Sequence, residues 1–317
     1  MDLMYTNAKR VDQGVLSAYA LDLSFGADEN NFELTLGADE PALEFGAVVY
    51  MEGTEYGGII DAMKTSTNGE SITYMGRTWH GILNSKVIEP DAGEGYLEVG
   101  GDANRLLEYL VNRLGLWGLF IVPDGNAKIN IFHHRFARYC KGYDGIRDLL
   151  EENGAKLMVV WEDRSIRLSA VPIVDYREAP IDGDVATLTV EQHKNKVNHL
   201  VCLGKGQLTN REVVHLYANQ FGQISDTPYY TGIDEVADVY ENSNSDDLEK
   251  DGKKKLKELW SKDTAEIALT ENDFVYDIGD IVGATDAKSG VSVDETVTQK
   301  IVKINNGAVS IDYKTGG

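Results

Sequence analysis

The sequence predicts a β-rich α+β protein with two antiparallel β-barrels, an α/β insertion between them and a helical excursion within the second barrel. Three observations support this fold class: short apolar runs separated by glycine-containing turns, 32 glycines against only 6 prolines, and an uneven distribution of charge. With 317 residues and 42% hydrophobic side chains, the chain is long enough for two or three domains.

The charge divides the chain into segments. The net charge of −22, from 52 acidic and 30 basic side chains, amounts to −12 in residues 1–100, zero in 101–176 and −10 in 177–317. So acidic a chain is not expected to hold nucleic acid on its surface, and such shifts in composition indicate domain boundaries. The predicted divisions are a first barrel in 1–100, an α/β insertion in 101–176, a second barrel in 177–217 and 264–317, and a helical excursion in 218–263.

Residues 1–100 are predicted to form short strands. Phe32, Leu34 and Leu36 alternate with polar residues, which is the pattern of a half-buried strand. Several antiparallel strands without long helices between them predict a small barrel or sandwich. The predicted strands are 21–25, 31–36, 47–51, 56–64 and 71–75.

The insertion contains two copies of one pattern, an α-β-β repeat. In each copy an aspartate begins a helix, a glycine ends it, and a β-hairpin follows. The first copy has Asp102, Gly115 and strands 119–122 and 128–132, and the second has Asp144, Gly154 and strands 157–161 and 165–171.

The third segment returns to strands, with one acidic helix predicted in 246–262. The pair Asn306-Gly307 is the strongest local hairpin signal in the sequence. The predicted strands are 186–190, 198–203, 212–217, 264–269, 280–282, 296–304 and 308–313.

The sequence contains no motif typical of an enzyme. It has no G-x-S-x-G, no Walker loop and no H-E-x-x-H. Cys140 and Cys202 are expected to be buried apolar side chains, and of His133 and His134, neighbours on a strand, one is expected inside and one in solvent. A catalytic pairing of His193 with Cys202 stays open as an alternative. We predict no catalytic residue, no cofactor and no metal ligand.

Charged segments are expected to be solvated. Residues 28–33 lack the central glycine and the closing glutamate of a calcium loop, and Lys253 to Lys255 lie on an otherwise acidic helix. No apolar stretch approaches the 18 or so residues of a membrane span, and the amino terminus does not read as a signal peptide. We therefore expect no membrane insertion and a protein made in the cytosol.

Residues 74–90 resemble a signature of phage tail hub proteins, the baseplate hubs of contractile tails and the amino-terminal hub domains of tail-associated lysins in flexible tails. Residues 143–171 resemble the middle domain of that family, and 276–313 resemble its closing barrel, so the resemblance spans nearly the whole chain. Lys86 and Thr78 depart from the residues common in the family. The signature residues are Gly76, Arg77, Leu83, Ile88, Pro90, Gly279 and Asp280.

The resemblance implies a structural, non-enzymatic protein of a phage or prophage tail tip, assembled in the host cytoplasm and located in the virion. It implies a homotrimer whose six tail-tube-like barrels form a pseudo-hexameric ring, joining the six-fold tail tube or distal tail protein to a three-fold tip, spike or receptor-binding protein. DNA would pass through the central channel without specific binding. Acidic side chains on the channel wall would repel its phosphates.

Two other functions stay open. The chain could be the hub portion of a tail-associated cell-wall hydrolase, or it could be a tail-tip adhesin that binds carbohydrate. An adhesin would need an exposed aromatic platform, for which Tyr229 and Tyr230 are the candidates.

Overall fold

Strands dominate the first hundred residues of the computed structural model. The structure describes residues 2–65, 71–177, 186–191, 196–245, 247–260, 264–269, 275–285 and 292–316. The first elements are β1 (Leu3–Thr6), β2 (Asp12–Leu16), β3 (Tyr19–Gly26), β4 (Asn31–Gly37), β5 (Val48–Tyr50), β6 (Gly57–Thr65), β7 (Ser71–Thr78), α1 (Trp79–Asn84), β8 (Val87–Ile88) and β9 (Glu98–Asp102).

Alternation of apolar and polar residues explains how these strands pack. Leu21 of β3 lies opposite Leu34 of β4, and Leu23 lies opposite Phe32. All four side chains are buried, while the residues between them face away from the core because side chains alternate along a strand. The predicted pattern at 31–36 is therefore confirmed.

The middle of the chain adds two longer helices and a three-stranded sheet. The side chain of Asp102 caps α2 by accepting hydrogen bonds from the backbone N–H groups of Asn104 and Arg105, and Gly115 follows the helix with a φ of 70°. Both ends of this helix are as predicted. The elements are α2 (Ala103–Arg113), β10 (Phe120–Ile121), β11 (Asn130–Arg135), β12 (Cys140–Lys141), α3 (Gly142–Glu151), β13 (Ala155–Glu162) and β14 (Ser165–Pro172).

Only one of the two hairpins of the predicted α-β-β repeat is present in the structure. The second predicted hairpin is present, since β13 and β14 pair antiparallel over their whole length. The first is absent: β10 pairs parallel with β14, and β11 pairs antiparallel with β9. Each strand thus finds a partner outside the predicted hairpin, and the turn between them does not bring them together.

The second predicted helix begins earlier than expected. Its N-cap is Lys141, and Asp144 lies inside the first turn, so the prediction of Asp144 as the cap is wrong. An acidic side chain in the first turn still interacts favourably with the positive end of the helix dipole. Gly154 follows the helix with a φ of 68°, as the predicted stop requires.

From residue 186 onward, the described residues form nine strands, one α-helix and two short 3-10 helices, Leu208–Asn210 and Gly232–Asp234. At Asn306 and Gly307 φ is positive, 47° and 89°, as a two-residue hairpin turn requires, so the predicted turn is confirmed. The elements are β15 (Ala186–Glu191), β16 (His199–Leu203), β17 (Val213–Ala218), β18 (Ile224–Ser225), β19 (Ala237–Glu241), α4 (Leu248–Trp260), β20 (Thr264–Leu269), β21 (Ile281–Thr285), β22 (Ser292–Asn305) and β23 (Ala308–Gly316).

The chain divides into two compact units, the first of which contains Met1–Leu188 and Ile267–Lys314. The large sheet has the strand order β15-β20-β23-β22-β3-β4-β7-β6-β5-β1-β2, and β21 pairs with β22. The pairing of β22 with β3 joins the closing strands to the first segment. Within the described residues, the two end strands of this order, β15 and β2, do not pair with each other, so the sheet is not closed. The architecture is therefore β-rich with antiparallel sheets, as predicted.

The second unit contains Thr189–Glu266 and Thr315–Gly317. Its four-stranded sheet has the order β18-β17-β16-β19. Helix α4 packs on this sheet, and its Leu248 and Leu256 join a core with Leu200, Cys202 and Leu216. Cys202 is fully buried in this apolar environment, as expected, whereas Cys140 is only partly buried.

The strands assigned to the second barrel are grouped differently in the structure. The second unit contains 199–203 and 213–218 together with the helix of the excursion, whereas 281–285 and 292–305 belong to the first unit. Apolar packing explains the difference, because the inward faces of β16 and β17 are covered by α4. Among the described residues, no helix is long and apolar enough to cross a membrane.

Gly76 tests the packing of the large sheet. A Cβ atom at this position would lie 1.9 Å from the carbonyl oxygen of Ile59 and 3.0 Å from the Phe32 ring. We expect Gly76→Ala to lower the free energy of unfolding by about 1–3 kcal/mol, because a backbone group must move to admit the methyl group. Thermal and urea unfolding measure this change.

Gly37→Ala is the matched control, on the neighbouring strand β4. Its added Cβ would meet only the Cβ of Ala18, at 3.9 Å. Equal unfolding midpoints for the two variants would contradict the packing at Gly76.

Candidate functional site

Strand β7 and helix α1 hold three of the signature residues, Gly76, Arg77 and Leu83, and most side chains of the helix are buried. Thr78 is the N-cap, with its hydroxyl accepting a hydrogen bond from the Gly81 N–H at 3.3 Å. Leu83 is fully buried in α1. A Cβ at Gly81 would lie 2.0 Å from the Asn30 carbonyl oxygen, so the glycine lets the helix lie directly against the turn before β4.

Arg77 fixes this turn through polar contacts. Its Nε and Nη2 donate to the two carboxylate oxygens of Asp61 at 2.7 and 2.8 Å, and its Nη1 donates to the Ser85 hydroxyl at 3.1 Å. The hydrogen bonds from Arg77 hold the pKa of Asp61 below its usual value. Both side chains are substantially exposed, so the contact orients β6, β7 and the end of α1 and adds little stability.

The other signature residues of this segment follow α1. Ile88 is buried and lies opposite Cys140 in the short pairing of β8 with β12. Pro90 is partly exposed, and the carbonyl oxygen of Glu89 before it accepts a hydrogen bond from Arg113 at 2.8 Å. The segment therefore connects the large sheet to the helices of the insertion.

The remaining signature residues, Gly279 and Asp280, belong to a buried group of charges. Asp280 is fully buried, and both of its carboxylate oxygens accept hydrogen bonds from Lys156 Nζ at 2.7 Å. The backbone N–H groups of Val174 and Asp277 also donate to this carboxylate, at 2.9 Å. Asp280 thus receives donors from the insertion and from its own turn.

Three further side chains complete this group. Lys156 Nζ also donates to Asp277 at 2.8 Å, and Lys300 Nζ donates to Glu55 at 2.6 Å and lies 3.9 Å from Asp277. We call Glu55, Lys156, Asp277, Asp280 and Lys300 the charged junction. It carries three carboxylates against two ammonium groups and links the first segment, the insertion and the closing strands within the first unit.

Burial and pairing oppose each other in the charged junction. Burial disfavours the ammonium form of Lys156, but hydrogen bonds to Asp277 and Asp280 outweigh it and raise its pKa above the usual value. Lys300 behaves in the same way because of Glu55. Burial raises the pKa of Glu55, and Lys300 only partly offsets this. Both lysines therefore stay charged although each is at most 5% exposed.

Local geometry explains the glycine before Asp280. Gly279 has a φ of 97°, a conformation that residues with a Cβ rarely adopt, and an added Cβ would lie 3.1 Å from the Cβ of Lys156. The tight turn lets the Asp277 N–H reach the Asp280 carboxylate.

The sequence analysis missed Lys156, Lys300 and Glu55. For Lys300 the sequence does contain a signal. It lies two and four positions before the buried residues Val302 and Ile304 on β22, and because alternate side chains of a strand share one face, the lysine is expected on the core side. Its ammonium group also lies about 6 Å from the rings of Phe25, Tyr56 and Tyr313.

His80, in α1, is buried against two aromatic rings. Its ring stacks on Phe25 with 4.8 Å between centroids and meets the edge of Tyr143 at 5.0 Å. Its Nδ1 has no hydrogen-bond partner in the described residues. Burial, assisted by the charge of Lys300, lowers the pKa of His80 to about 3, so the imidazole is neutral in the folded protein.

The first unit also has an acidic surface on the side of β3 and β4 away from the core. Asp22 lies directly opposite Glu33 on β4 and opposite Lys303 on β22. Burial raises the pKa of Asp22, Lys303 opposes this rise, and Glu33 and Glu29 add to it. We call Asp22, Glu29 and Glu33 the acidic face; together they line a shallow depression.

The other residues considered as candidates form no catalytic group in the described chain. His134 is buried with Nδ1 2.8 Å from Glu152, and His133 is exposed, as expected for neighbours on a strand. Tyr229 and Tyr230 pack edge to face on each other instead of forming a flat platform. His193 lies outside the described residues, which contain no group of three metal-ligating side chains.

Lys156 tests the charged junction. We expect Lys156→Met to lower the free energy of unfolding by about 3–5 kcal/mol, because it leaves the buried carboxylate of Asp280 without its counter-ion. Chemical denaturation of the purified chain measures the change.

Lys314→Met removes an exposed lysine whose Nζ lies 3.8 Å from Asp28. This control is expected to stay within about 0.5 kcal/mol of the unchanged chain. A Lys156→Met variant as stable as this control would show that the buried pair contributes nothing.

The lowered pKa of His80 predicts that the folded protein loses stability in acid. The unfolded chain binds a proton at this imidazole below its ordinary pKa of 6.5, and the folded chain does not until about 3. Stability is therefore lost as the pH falls below 6.5, by about 1.4 kcal/mol per pH unit for this one group. We expect His80→Leu to make the change in unfolding free energy between pH 7 and pH 5 smaller by about 2 kcal/mol.

His133→Leu, on the exposed neighbour of His134, is the control, and it should keep the original pH dependence. If His80→Leu loses the same stability between pH 7 and pH 5 as the unchanged chain, the imidazole is not neutral in the fold.

Comparison with known proteins gives the fold a context. No protein-family model matches the chain, and no curated protein matches it in sequence. Three solved structures are similar over nearly their whole length. The 43 kDa tail protein of prophage MuSo2 from Shewanella oneidensis has a TM-score of 0.60 at 11% identity, with 99% of this chain and 98% of that chain covered.

The other two structures are also tail proteins. A tail protein from Neisseria meningitidis MC58 has a TM-score of 0.56 at 13% identity, covering 100% of this chain and 96% of its own. Prophage tail protein gp18 from Listeria monocytogenes EGD-e has a TM-score of 0.53 at 12% identity, covering 100% and 94%. The resemblance to phage tail proteins is thus confirmed in three dimensions, and the chain has the fold of these tail proteins.

Proposed function

We propose that the chain is a structural hub protein of a phage or prophage tail tip or baseplate. The observation that supports this most is the likeness of fold to three tail proteins, two of them from prophages, along essentially the whole chain.

The hub would be a homotrimer, with two tail-tube-like barrels of each subunit contributing to a ring of six. The large sheet offers a surface for this assembly. Strand β2 is the last strand of the described path, so one of its edges has no strand partner there. Val15 on this strand is 48% exposed. An open edge with exposed apolar side chains favours pairing with another chain.

The acidic face would line the central channel. Asp22 and Glu33 are directly opposite each other, an arrangement of like charges that lowers the stability of a sheet. Placed toward a channel, these carboxylates would repel the phosphates of passing DNA, so that the DNA moves without binding.

Partners above and below would complete the assembly. The ring would bind the six-fold tail tube or distal tail protein on one side and a three-fold tip, spike or receptor-binding protein on the other. Assembly would take place in the host cytoplasm, and the mature protein would be located in the virion.

Electron cryomicroscopy of the chain, assembled with the tube and distal tail proteins from the same phage or prophage, tests the proposal. We expect three copies in a closed ring, with Asp22 and Glu33 facing the axis. Failure to enter a tail assembly, or clearing of peptidoglycan by the isolated chain in a zymogram, would contradict a purely structural hub.

Charge reversal tests the channel separately. In the assembled ring, Asp22→Lys with Glu33→Lys is expected to create DNA binding that weakens steeply with salt, whereas the unchanged ring binds none. The control, Glu94→Lys with Asp124→Lys, changes the charge equally at exposed positions in turns. If both pairs bind DNA equally, the acidic face has no special relation to the channel.

A further inference from the structure

The second unit brings together two histidines that are far apart in sequence. His199 on β16 lies opposite Tyr217 on β17, and His215 lies two residues before Tyr217 on the same strand. The three side chains therefore share one face of the sheet, on the side away from the buried Leu200 and Leu216. His199 Nε2 lies 2.9 Å from His215 Nδ1.

His199 is held in one orientation by two contacts. Its Nδ1 lies 2.6 Å from the carboxylate of Glu235, and its ring stacks on Tyr217 with 4.3 Å between centroids. Because a carboxylate only accepts hydrogen bonds, Nδ1 of His199 carries a proton, and in the neutral form of the imidazole Nε2 then keeps its lone pair. That lone pair is directed at the Nδ1 atom of His215.

The backbone on either side of Glu235 is also fixed. The buried side chain of Asn198 donates to the carbonyl oxygen of Asp234 at 2.7 Å and accepts from the N–H of Val236 at 3.0 Å. Residue 198 thus positions the loop that carries the carboxylate beside residue 199. A carboxylate that orients a histidine through its second ring nitrogen is the usual support of a metal-binding histidine.

We propose that His199 and His215 form a binding site for a divalent transition-metal ion, with Glu235 as the residue that positions His199. The ion would take Nε2 of His199 and Nδ1 of His215 as ligands, and His215 would then carry its proton on Nε2. Imidazole nitrogens suit copper, nickel and zinc. The structure offers two protein ligands here, so water or a second molecule completes the coordination.

The distance between the nitrogens favours a particular geometry. With metal–nitrogen bonds of about 2.0–2.1 Å, two ligands at a right angle lie about 2.9 Å apart, and two at the tetrahedral angle lie about 3.3 Å apart. The observed 2.9 Å equals the nitrogen separation at the right angle of tetragonal Cu²⁺ or Ni²⁺, so binding requires the rings to turn until both lone pairs point at the ion but not to move apart. Zn²⁺ requires the rings to separate by a few tenths of an ångström, so Cu²⁺ should bind more tightly than Zn²⁺.

The site is open to solvent on the side of His215. The side chain of His199 is only 12% exposed and that of Glu235 is 38% exposed, while His215 is exposed. An ion can therefore reach the pair without unfolding of the sheet.

Titration of the full chain with Cu²⁺ and with Zn²⁺, by calorimetry and by electron paramagnetic resonance for copper, tests the site. We expect one tight Cu²⁺ per chain, with nitrogen hyperfine coupling from two imidazoles and weaker binding of Zn²⁺. His199→Gln and His215→Gln should each weaken Cu²⁺ binding at least tenfold. Glu235→Gln should weaken it by about 10-fold while both nitrogens still bind.

His133→Gln is the matched control, because His133 is an exposed strand histidine 3.5 Å from a glutamate, Glu98, and the imidazole of the adjacent His134 is buried against Glu152. This variant should bind Cu²⁺ as the unchanged chain does. Circular dichroism of each variant shows whether it is folded. The proposal is wrong if folded His215→Gln binds Cu²⁺ as tightly as the unchanged chain, or if the unchanged chain binds no Cu²⁺.

Discussion

The first unit depends on the pairing of buried charges in the charged junction. Moving a carboxylate or an ammonium group out of water is unfavourable by several kcal/mol unless a partner of opposite charge meets it in good geometry. Lys156 and Asp280 satisfy this only if the insertion and the closing turn lie side by side. Lys300 and Glu55 impose the same condition on the closing strand and the first segment. The junction therefore selects one arrangement of three distant segments.

The arrangement of the large sheet is consistent with this constraint. Strand β22 pairs with β3, so the last strands of the chain complete a sheet that the first strands began. Pairing between strands so far apart in sequence requires closing a long loop. The entropy lost on closure has to be offset by interactions between the distant segments themselves. Apolar packing favours burial of these strands in general, whereas the buried lysines favour one register, because a shift by one residue would turn Lys300 to the other face.

The sequence predicted the features that depend on neighbouring residues. The cap at Asp102, the stop at Gly115 and the turn at Asn306-Gly307 follow from local backbone chemistry, and the structure contains all three. The first predicted hairpin failed because strand partners are chosen by distant residues: β10 takes β14 and β11 takes β9. The histidine pair was unpredictable for the same reason, since only the register of β16 with β17 brings its members together.

Lysine placement also bears on the charge of the surface. The chain has 30 basic side chains against 52 acidic ones, and the charged junction buries two of the lysines together with Asp280, while Glu55 and Asp277 stay partly exposed. On the acidic face, Asp22 has one adjacent lysine, Lys303, against the carboxylates of Glu33 and Glu29. Opposed carboxylates on adjacent strands lower the stability of the isolated chain, and Lys303 on β22 offsets this only in part for Asp22. The anion-repelling channel that we propose would give this unfavourable arrangement a purpose that the fold of a single chain does not.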